Sequence, residues 1–205
     1  MKNKNDFIKA LLQGFTIPLS PKALNKAIPL FYSKLMSAGD FIVSNGDYCD
    51  FIFYAKDSAT RCYTEDAEGN ETTEWIESPA MFLTDLKTFF THEKSQCNIH
   101  LYQDSEVICI KKKDLDALCA EFHEWSLILN DILSKYLLRT YEILDLFVRN
   151  DVADNYQLFE ERFPDLLKIV PLKHIASRLN ISPVSLSRIR KNNKKSNNIT
   201  VLFSL

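Results

Sequence analysis

The stretch Pro171-Leu-Lys-His-Ile-Ala-Ser-Arg-Leu-Asn-Ile-Ser-Pro-Val-Ser-Leu-Ser-Arg-Ile-Arg-Lys191 decides the fold of the C-terminal part of the chain. Its apolar spacing predicts two short helices joined by a tight turn. Asn180 stands at the turn, where the backbone must be left-handed and Asn is the best substitute for Gly. Ser182 and Pro183 then match the N-cap and the first position of the second helix. The pattern is typical of a helix-turn-helix.

The same spacing predicts which side chains pack between the two helices. These inward residues are Ile175, Ala176, Leu179, Ile181, Leu186 and Ile189. Ala176 matters most, because the helices cross closely there and a larger side chain would push them apart.

The outward face of the second helix carries hydrogen-bond donors and basic groups that suit base edges and phosphates. Arg188 is the candidate for reading a base edge, since its two donors match the two acceptors of guanine. The other candidate DNA contacts are Lys173, Ser182, Ser185, Ser187, Arg190, Lys191 and Lys194. A helix pair of purely structural role is the alternative interpretation.

The net charge of −2 hides a strong asymmetry along the chain. Residues 1–165 hold 17 basic and 27 acidic residues, whereas residues 166–205 hold eight basic residues and no acidic one. The resulting charges of −10 and +8 suit a polyanion at the C-terminal end, because Lys and Arg at phosphates release counterions. A solvated basic tail would give the same composition.

The first two thirds of the chain change from helix to strand patterns. Ser20 and Pro21 look like a helix cap within a helical start. Between residues 33 and 113, short segments rich in β-branched and aromatic residues alternate with turn signals. These segments are 41–43, 51–54, 60–63, 72–76, 99–102 and 107–110, and Glu68-Gly-Asn70 is a plausible hairpin tip. Such spacing predicts an antiparallel barrel or jelly roll.

A long helix is predicted next, since residues 113–150 contain neither Gly nor Pro. Apolar residues repeat there at spacings of four and three, as in the seam of a coiled coil. The seam consists of Leu133, Leu137, Thr140, Leu144 and Phe147. It predicts a helix that packs on a second copy of the chain, and packing on the chain's own core is the alternative. Asp151 then looks like a break and a new cap.

These features together resemble the Crp/Fnr family of bacterial regulators. The helix-turn-helix carries the resemblance, with the paired turns Ala38-Gly-Asp40 and Asn45-Gly-Asp47 and the strand Phe51-Ile-Phe-Tyr54. The resemblance implies an α+β fold with an N-terminal antiparallel jelly roll of the cyclic-nucleotide-binding type, a long dimerisation helix and a C-terminal (winged) helix-turn-helix. The implied domains span residues 1–122, 123–150 and 151–205. It also implies a homodimer that binds double-stranded DNA as a sequence-specific transcription regulator.

Departures from the family pattern modify these expectations. Members that bind cyclic nucleotides hold the phosphate with a Gly-Glu turn and an Arg, and residues 81–86 and 95–98 have neither. Cyclic AMP is therefore not expected as the effector. Whether another small molecule acts as an effector is left open by the sequence. Pro183-Val184 stand where many relatives have an Arg-Glu pair, so a different DNA motif is expected. After Lys195 only residues 199–203 could form a wing strand.

No catalytic constellation is visible in the sequence. The four histidines are isolated, and there is no phosphate loop, nucleophile elbow or HExxH motif. The five cysteines are scattered without a CxxC pair, which predicts neither a disulfide framework nor a metal site. We expect no enzyme, no cofactor and, without a membrane span or signal peptide, a cytoplasmic protein. A jelly-roll module that senses a ligand or partner and no longer binds DNA is the alternative.

Overall fold

The computed structural model describes residues 4–149 and 151–202, with the backbone alone for residues 4, 142–143, 145–149 and 193–202. The helices are α1 (Lys4–Gln13), α2 (Pro21–Ala27), α3 (Leu86–Thr91), α4 (Lys112–Glu121), α5 (His123–Arg149), α6 (Val152–Arg162), α7 (Leu166–Ile169), α8 (Leu172–Arg178) and α9 (Pro183–Leu202). The strands are β1 (Phe31–Met36), β2 (Phe41–Val43), β3 (Phe51–Ala55), β4 (Thr60–Glu65), β5 (Glu71–Glu77), β6 (Phe82–Leu83), β7 (Asn98–Leu101) and β8 (Ser105–Lys111).

The strands form two four-stranded antiparallel sheets with the orders β1-β8-β3-β6 and β2-β7-β4-β5. The predicted α+β fold with a jelly roll is thereby confirmed. Each of the six strands predicted from the sequence is present. Two further strands, β1 and β6, were not predicted. Strand β1 buries only its first and last residues, Phe31 and Met36, and β6 is two residues long. Neither shows the alternation on which a sequence prediction depends.

The β4–β5 hairpin contains a bulge that changes the pairing of its two strands. Cys62 pairs with Trp75, but the next residue, Tyr63, pairs with Thr73. Glu74 is therefore the extra residue of β5. The predicted tip is confirmed, with Gly69 at a φ of 82°.

Two cores flank the sheet that contains β3 and β8. Helices α1, α2, α4 and α5 pack on its outer side, where Ile8, Leu12 and Trp125 are buried with Ile108. The inner core lies between the sheets and includes Phe53, Ile99 and four of the five cysteines. Ser20 caps α2 as predicted, because its Oγ accepts a hydrogen bond from the amide of Ala23.

A third core joins the C-terminal helices to the second sheet. Tyr156, Ile175 and Leu186 from the helices are buried there together with Ala59 and Ile76 from the barrel. The C-terminal helices are therefore packed against the barrel at Ala59 and at Ile76 of β5. The predicted cap of α6 is also present, since the Asp151 carboxylate accepts the amides of Ala153 and Asp154.

The expected wing strand at residues 199–203 is wrong as far as Leu202, because α9 continues through this segment. After Pro183 the described part of α9 contains neither Pro nor Gly to end it. Phe203 lies outside the described residues. Among the described helices, none combines the length and the apolar character that crossing a bilayer requires.

Candidate nucleic-acid interface and its contacts with the barrel

The turn between α8 and α9 has the geometry that its sequence predicts. Asn180 has a φ of 55°, in the left-handed region. The Oγ of Ser182 accepts a hydrogen bond from the amide of Ser185 at 3.1 Å, which caps α9. Ala176 is fully buried and Leu186 is 1% exposed, so the two helices pack through the residues expected from the spacing.

The exposed polar side chains of α9 include those of Ser187, Arg188, Lys191 and Asn192. Lys173 is exposed on α8. The hydroxyl of Ser185 is half-buried and lies 2.9 Å from Oγ of Ser182, so this pair is already engaged at the cap.

One predicted DNA contact is only partly exposed, and another cannot be placed. Arg190 is half-buried, and its Nε has no accessible surface and no hydrogen-bond partner among the described residues. Its guanidinium interacts with Tyr156 of α6. The side chain of Lys194 lies outside the described residues. The part of α9 that is exposed to solvent therefore does not include the whole side chain of Arg190, which the sequence assigned to DNA.

Helix α8 covers β5, an edge strand of the second sheet. The hydroxyl of Ser177 donates to the carbonyl of Glu71 at 3.1 Å and accepts the amide of Thr73 at 2.9 Å. These are main-chain groups of an edge strand that would otherwise need water. One serine of the helix-turn-helix therefore continues the hydrogen-bonding pattern of the barrel.

A buried arginine organises the same junction. Arg61 is 2% exposed, and its guanidinium lies 2.6 Å from the Glu71 carboxylate while its Nε donates to Thr73. Burial acts to raise the pKa of Glu71, but Arg61 outweighs it and holds that pKa below its usual value. The pair therefore places an ionised carboxylate beside α8.

His174 of α8 lies within reach of this ion pair. Its Nδ1 is 2.9 Å from the Tyr102 hydroxyl, and its Nε2 is 3.9 Å from the Glu71 carboxylate. Burial, followed by the charge of Arg61, lowers the pKa of His174 to about 4. His174 is therefore neutral at physiological pH. Sequence reasoning did not single it out, because only the fold brings Tyr102 and Arg61 to it.

A second buried carboxylate joins the barrel to the long helix. Glu77, the last residue of β5, is 5% exposed and lies 2.6 Å from the guanidinium of Arg139 on α5. Arg139 also stacks over the ring of Phe163. Burial raises the pKa of Glu77 to about 7, against the lowering effect of Arg139 and then of Arg178 on α8. Three elements, β5, α5 and α8, thus meet at one buried carboxyl group.

The exposed apolar face of α5 overlaps the predicted seam but is not identical to it. Leu137 and Leu144 are 69% and 58% exposed, and Thr140 is exposed too. Leu133 is half-buried and contacts the barrel side. Phe147 lies outside the described side chains. Leu138 and Tyr141, which the heptad spacing omits, complete the exposed face.

The segment between β6 and β7 contains the carboxylate of Asp85, which accepts three hydrogen bonds. Asp85 caps α3 by accepting the amide and the hydroxyl of Thr88. Ser95 is 2% exposed and donates to the same carboxylate at 2.8 Å. Asp85 therefore ties the start of α3 to Ser95.

Comparison with solved structures shows the same architecture in known regulators. The c-di-GMP-responsive global regulator CLP of Xanthomonas campestris has a TM-score of 0.65 at 14% identity, covering 87% of this chain and 93% of its own. FixK2 of Bradyrhizobium japonicum has a TM-score of 0.65 at 13% identity, over 82% and 86% of the two chains. The catabolite activator protein of Thermus thermophilus has a TM-score of 0.52 at 20% identity, over 91% and 87%.

These solved structures are Crp/Fnr-family transcription regulators. The chain therefore has the fold of that class, a cyclic-nucleotide-binding-like barrel followed by a long helix and a helix-turn-helix. No protein-family model matches the sequence, and no curated protein gives a significant match.

Proposed function

We propose that the protein is a sequence-specific DNA-binding transcription regulator that acts in the cytoplasm. The observation that carries this proposal is the capped helix α9, whose exposed face presents Ser187, Arg188 and Lys191. Its length and its exposed donors suit insertion into a major groove. The basic C-terminal segment adds the counterion release on which affinity for DNA depends. The role is regulatory rather than catalytic.

The active form is a homodimer that forms through α5. Leu137, Leu138, Tyr141 and Leu144 give this helix a continuous exposed apolar face. An isolated protomer that left this face in water would lose the burial free energy of several large side chains. Two copies related by a two-fold axis would read inverted half-sites about 34 Å apart.

The regulator works without cyclic AMP or cyclic GMP. Asp85 occupies the capping position of α3, and its carboxylate already accepts the hydroxyls of Thr88 and Ser95. A nucleotide phosphate placed there would meet a negative charge instead of an arginine. An effector that bound in this barrel would need different chemistry.

The first experiment identifies a binding sequence and then tests how it is read. Selection from a random pool of DNA duplexes should enrich a motif with two inverted half-sites. Arg188→Ala should cost about 1–3 kcal/mol on that motif and relax the preference at one base position. Lys191→Ala should weaken binding to every duplex alike and flatten the salt dependence by about one unit.

A salt titration of both variants on the selected and on a scrambled duplex separates the two roles. Equal loss of affinity on both duplexes for Arg188→Ala would identify Arg188 as a phosphate contact. Failure of the wild-type protein to enrich any duplex would overturn the DNA-binding proposal and favour a module that senses a ligand or partner.

A further inference from the structure

The inner core brings together cysteines that are far apart in the sequence. Cys49, Cys62, Cys97 and Cys109 are all buried in this single core. Cys62 lies on β4, and Cys97 directly precedes β7, which pairs with β4. The two thiols and the carboxylate of Glu74 have ligand atoms that all lie within 4.8 Å of one another.

The bulge in β5 explains why a glutamate reaches two buried thiols. Glu74 is the residue without a partner opposite Cys62 and Tyr63, and its Oε2 lies 3.7 Å from Sγ of Cys62. In a regular ladder Glu74 would pair with Tyr63 and point to the face of the sheet opposite to Cys62. Bulges commonly re-aim one side chain at a functional position.

The spacing of these atoms fits a tetrahedral cation. Zinc binds thiolate sulfur at about 2.3 Å and carboxylate oxygen at about 2.0 Å, so a tetrahedral angle separates the two ligand atoms by about 3.5 Å. The observed 3.7 Å between Cys62 and Glu74 is close to this value. On the other side, Sγ of Cys97 lies 3.8 Å from Oδ2 of Asp85. Asp85 does not belong to the three-residue cluster, so a water molecule would complete the tetrahedron.

We propose that Cys62, Cys97 and Glu74 bind one zinc ion in the barrel, with water in the fourth position. Two thiolates and carboxylate oxygen form a donor set that suits a borderline-soft divalent cation rather than magnesium or calcium. Glu74 is exposed while both cysteines are buried, so the ion enters from the surface of the β4–β5 hairpin. The site is separate from the exposed face of α9 and does not depend on DNA binding.

The test is a titration of reduced, metal-free, full-length protein with Co²⁺, which reports thiolate ligation by a near-ultraviolet charge-transfer band. The band should saturate at one Co²⁺ per chain and disappear when Zn²⁺ displaces the cobalt. Cys62→Ser and Cys97→Ser should each abolish it. Glu74→Gln should keep the band and weaken Co²⁺ affinity on the order of tenfold or more.

Cys119→Ser is the matched control, because Cys119 is only half-buried on α4 and lies outside the inner core. This variant should bind cobalt like the wild type. Thermal unfolding of each metal-free variant checks that the barrel is intact. Because Glu74 is exposed, Glu74→Gln tests the site even if a serine variant at a buried cysteine unfolds. The proposal is overturned if the wild type gives no thiolate band, or if the band survives in both Cys62→Ser and Cys97→Ser. It is also overturned if Glu74→Gln leaves the affinity unchanged.

Discussion

The hydroxyl of Tyr102 lies 2.9 Å from Nδ1 of His174, and this hydrogen bond joins the barrel to the first helix of the helix-turn-helix. Burial raises the pKa of Tyr102, so the hydroxyl keeps its proton. In the tautomer whose ring proton is on Nε2, facing Glu71, Nδ1 accepts a hydrogen bond from this hydroxyl. Protonation of His174 would place a second donor against the tyrosine hydroxyl.

The first prediction is that His174 makes the protein sensitive to mild acid. Its pKa is lowered from the ordinary histidine value of 6.5, which applies in the unfolded chain, to about 4 in the folded chain. Between these values the unfolded chain binds more protons, so the stability that is present above pH 6.5 is lost as the pH falls toward 4. With allowance for partial exposure the loss at pH 5 is about 1 kcal/mol, or about 2–4 °C in Tm. His174→Gln should remove it, as thermal unfolding at pH 7, 6 and 5 would show.

The second prediction concerns Glu77, whose titration changes stability with pH in the direction opposite to that of His174. Because its pKa is raised from 4.5 to about 7, the folded chain holds the proton in this window and stability falls as the pH rises through it. Glu77→Gln should therefore leave the His174 effect unopposed and make the loss of stability in acid steeper. Urea unfolding at pH 5 and pH 7 measures the slope. An unchanged slope would mean that Arg139 keeps the carboxylate ionised throughout.

The third prediction tests the dimer. Leu137→Asp should give a monomer, because it would bury an unpaired charge at the interface at a cost of several kcal/mol. Since Leu137 is 69% exposed in the protomer, the fold itself should be unaffected. Light scattering reports the mass. Lys135→Glu, on the flank of the same helix, is the matched control and should remain dimeric. A wild-type protein that is monomeric at micromolar concentration would contradict the assignment.

The fourth prediction is that neither cyclic AMP nor cyclic GMP binds. Asp85 and Ser95 already satisfy one another, and the segment offers no arginine to a phosphate. Calorimetry should give no saturable heat up to roughly millimolar ligand, which corresponds to about −4 kcal/mol. A micromolar isotherm would reveal a phosphate site elsewhere in the barrel.

Local signals carried most of the correct sequence predictions. The turn at Asn180, the caps at Ser20, Ser182 and Asp151, and the hairpin tip at Gly69 depend on residues a few positions apart. Each of these residues has a conformational preference that acts within one turn of chain. Such features can be read without knowledge of the tertiary structure.

The features that the sequence did not predict depend on contacts between residues that are far apart along the chain. Cys62 and Cys97 are far apart along the chain and meet only because β4 pairs with β7. Arg190 was assigned to DNA as a basic residue that flanks the outward face, but its interaction with Tyr156 of α6 depends on how that helix packs. The continuation of α9 was missed because a β-branched run near residue 200 favours a strand, while no partner strand lies beside it in the described part of the chain.

Ala59 and Ile76 of the barrel belong to the same core as Leu186 of α9. The unit that could be exchanged between regulators is therefore not residues 151–205 alone. A chimera that joined this segment to a foreign barrel would leave Tyr156 and Ile175 facing a surface that did not evolve with them. A functional graft would have to carry the β4–β5 hairpin along with the helices, although the whole of α4 and α5 lies between the two in the chain.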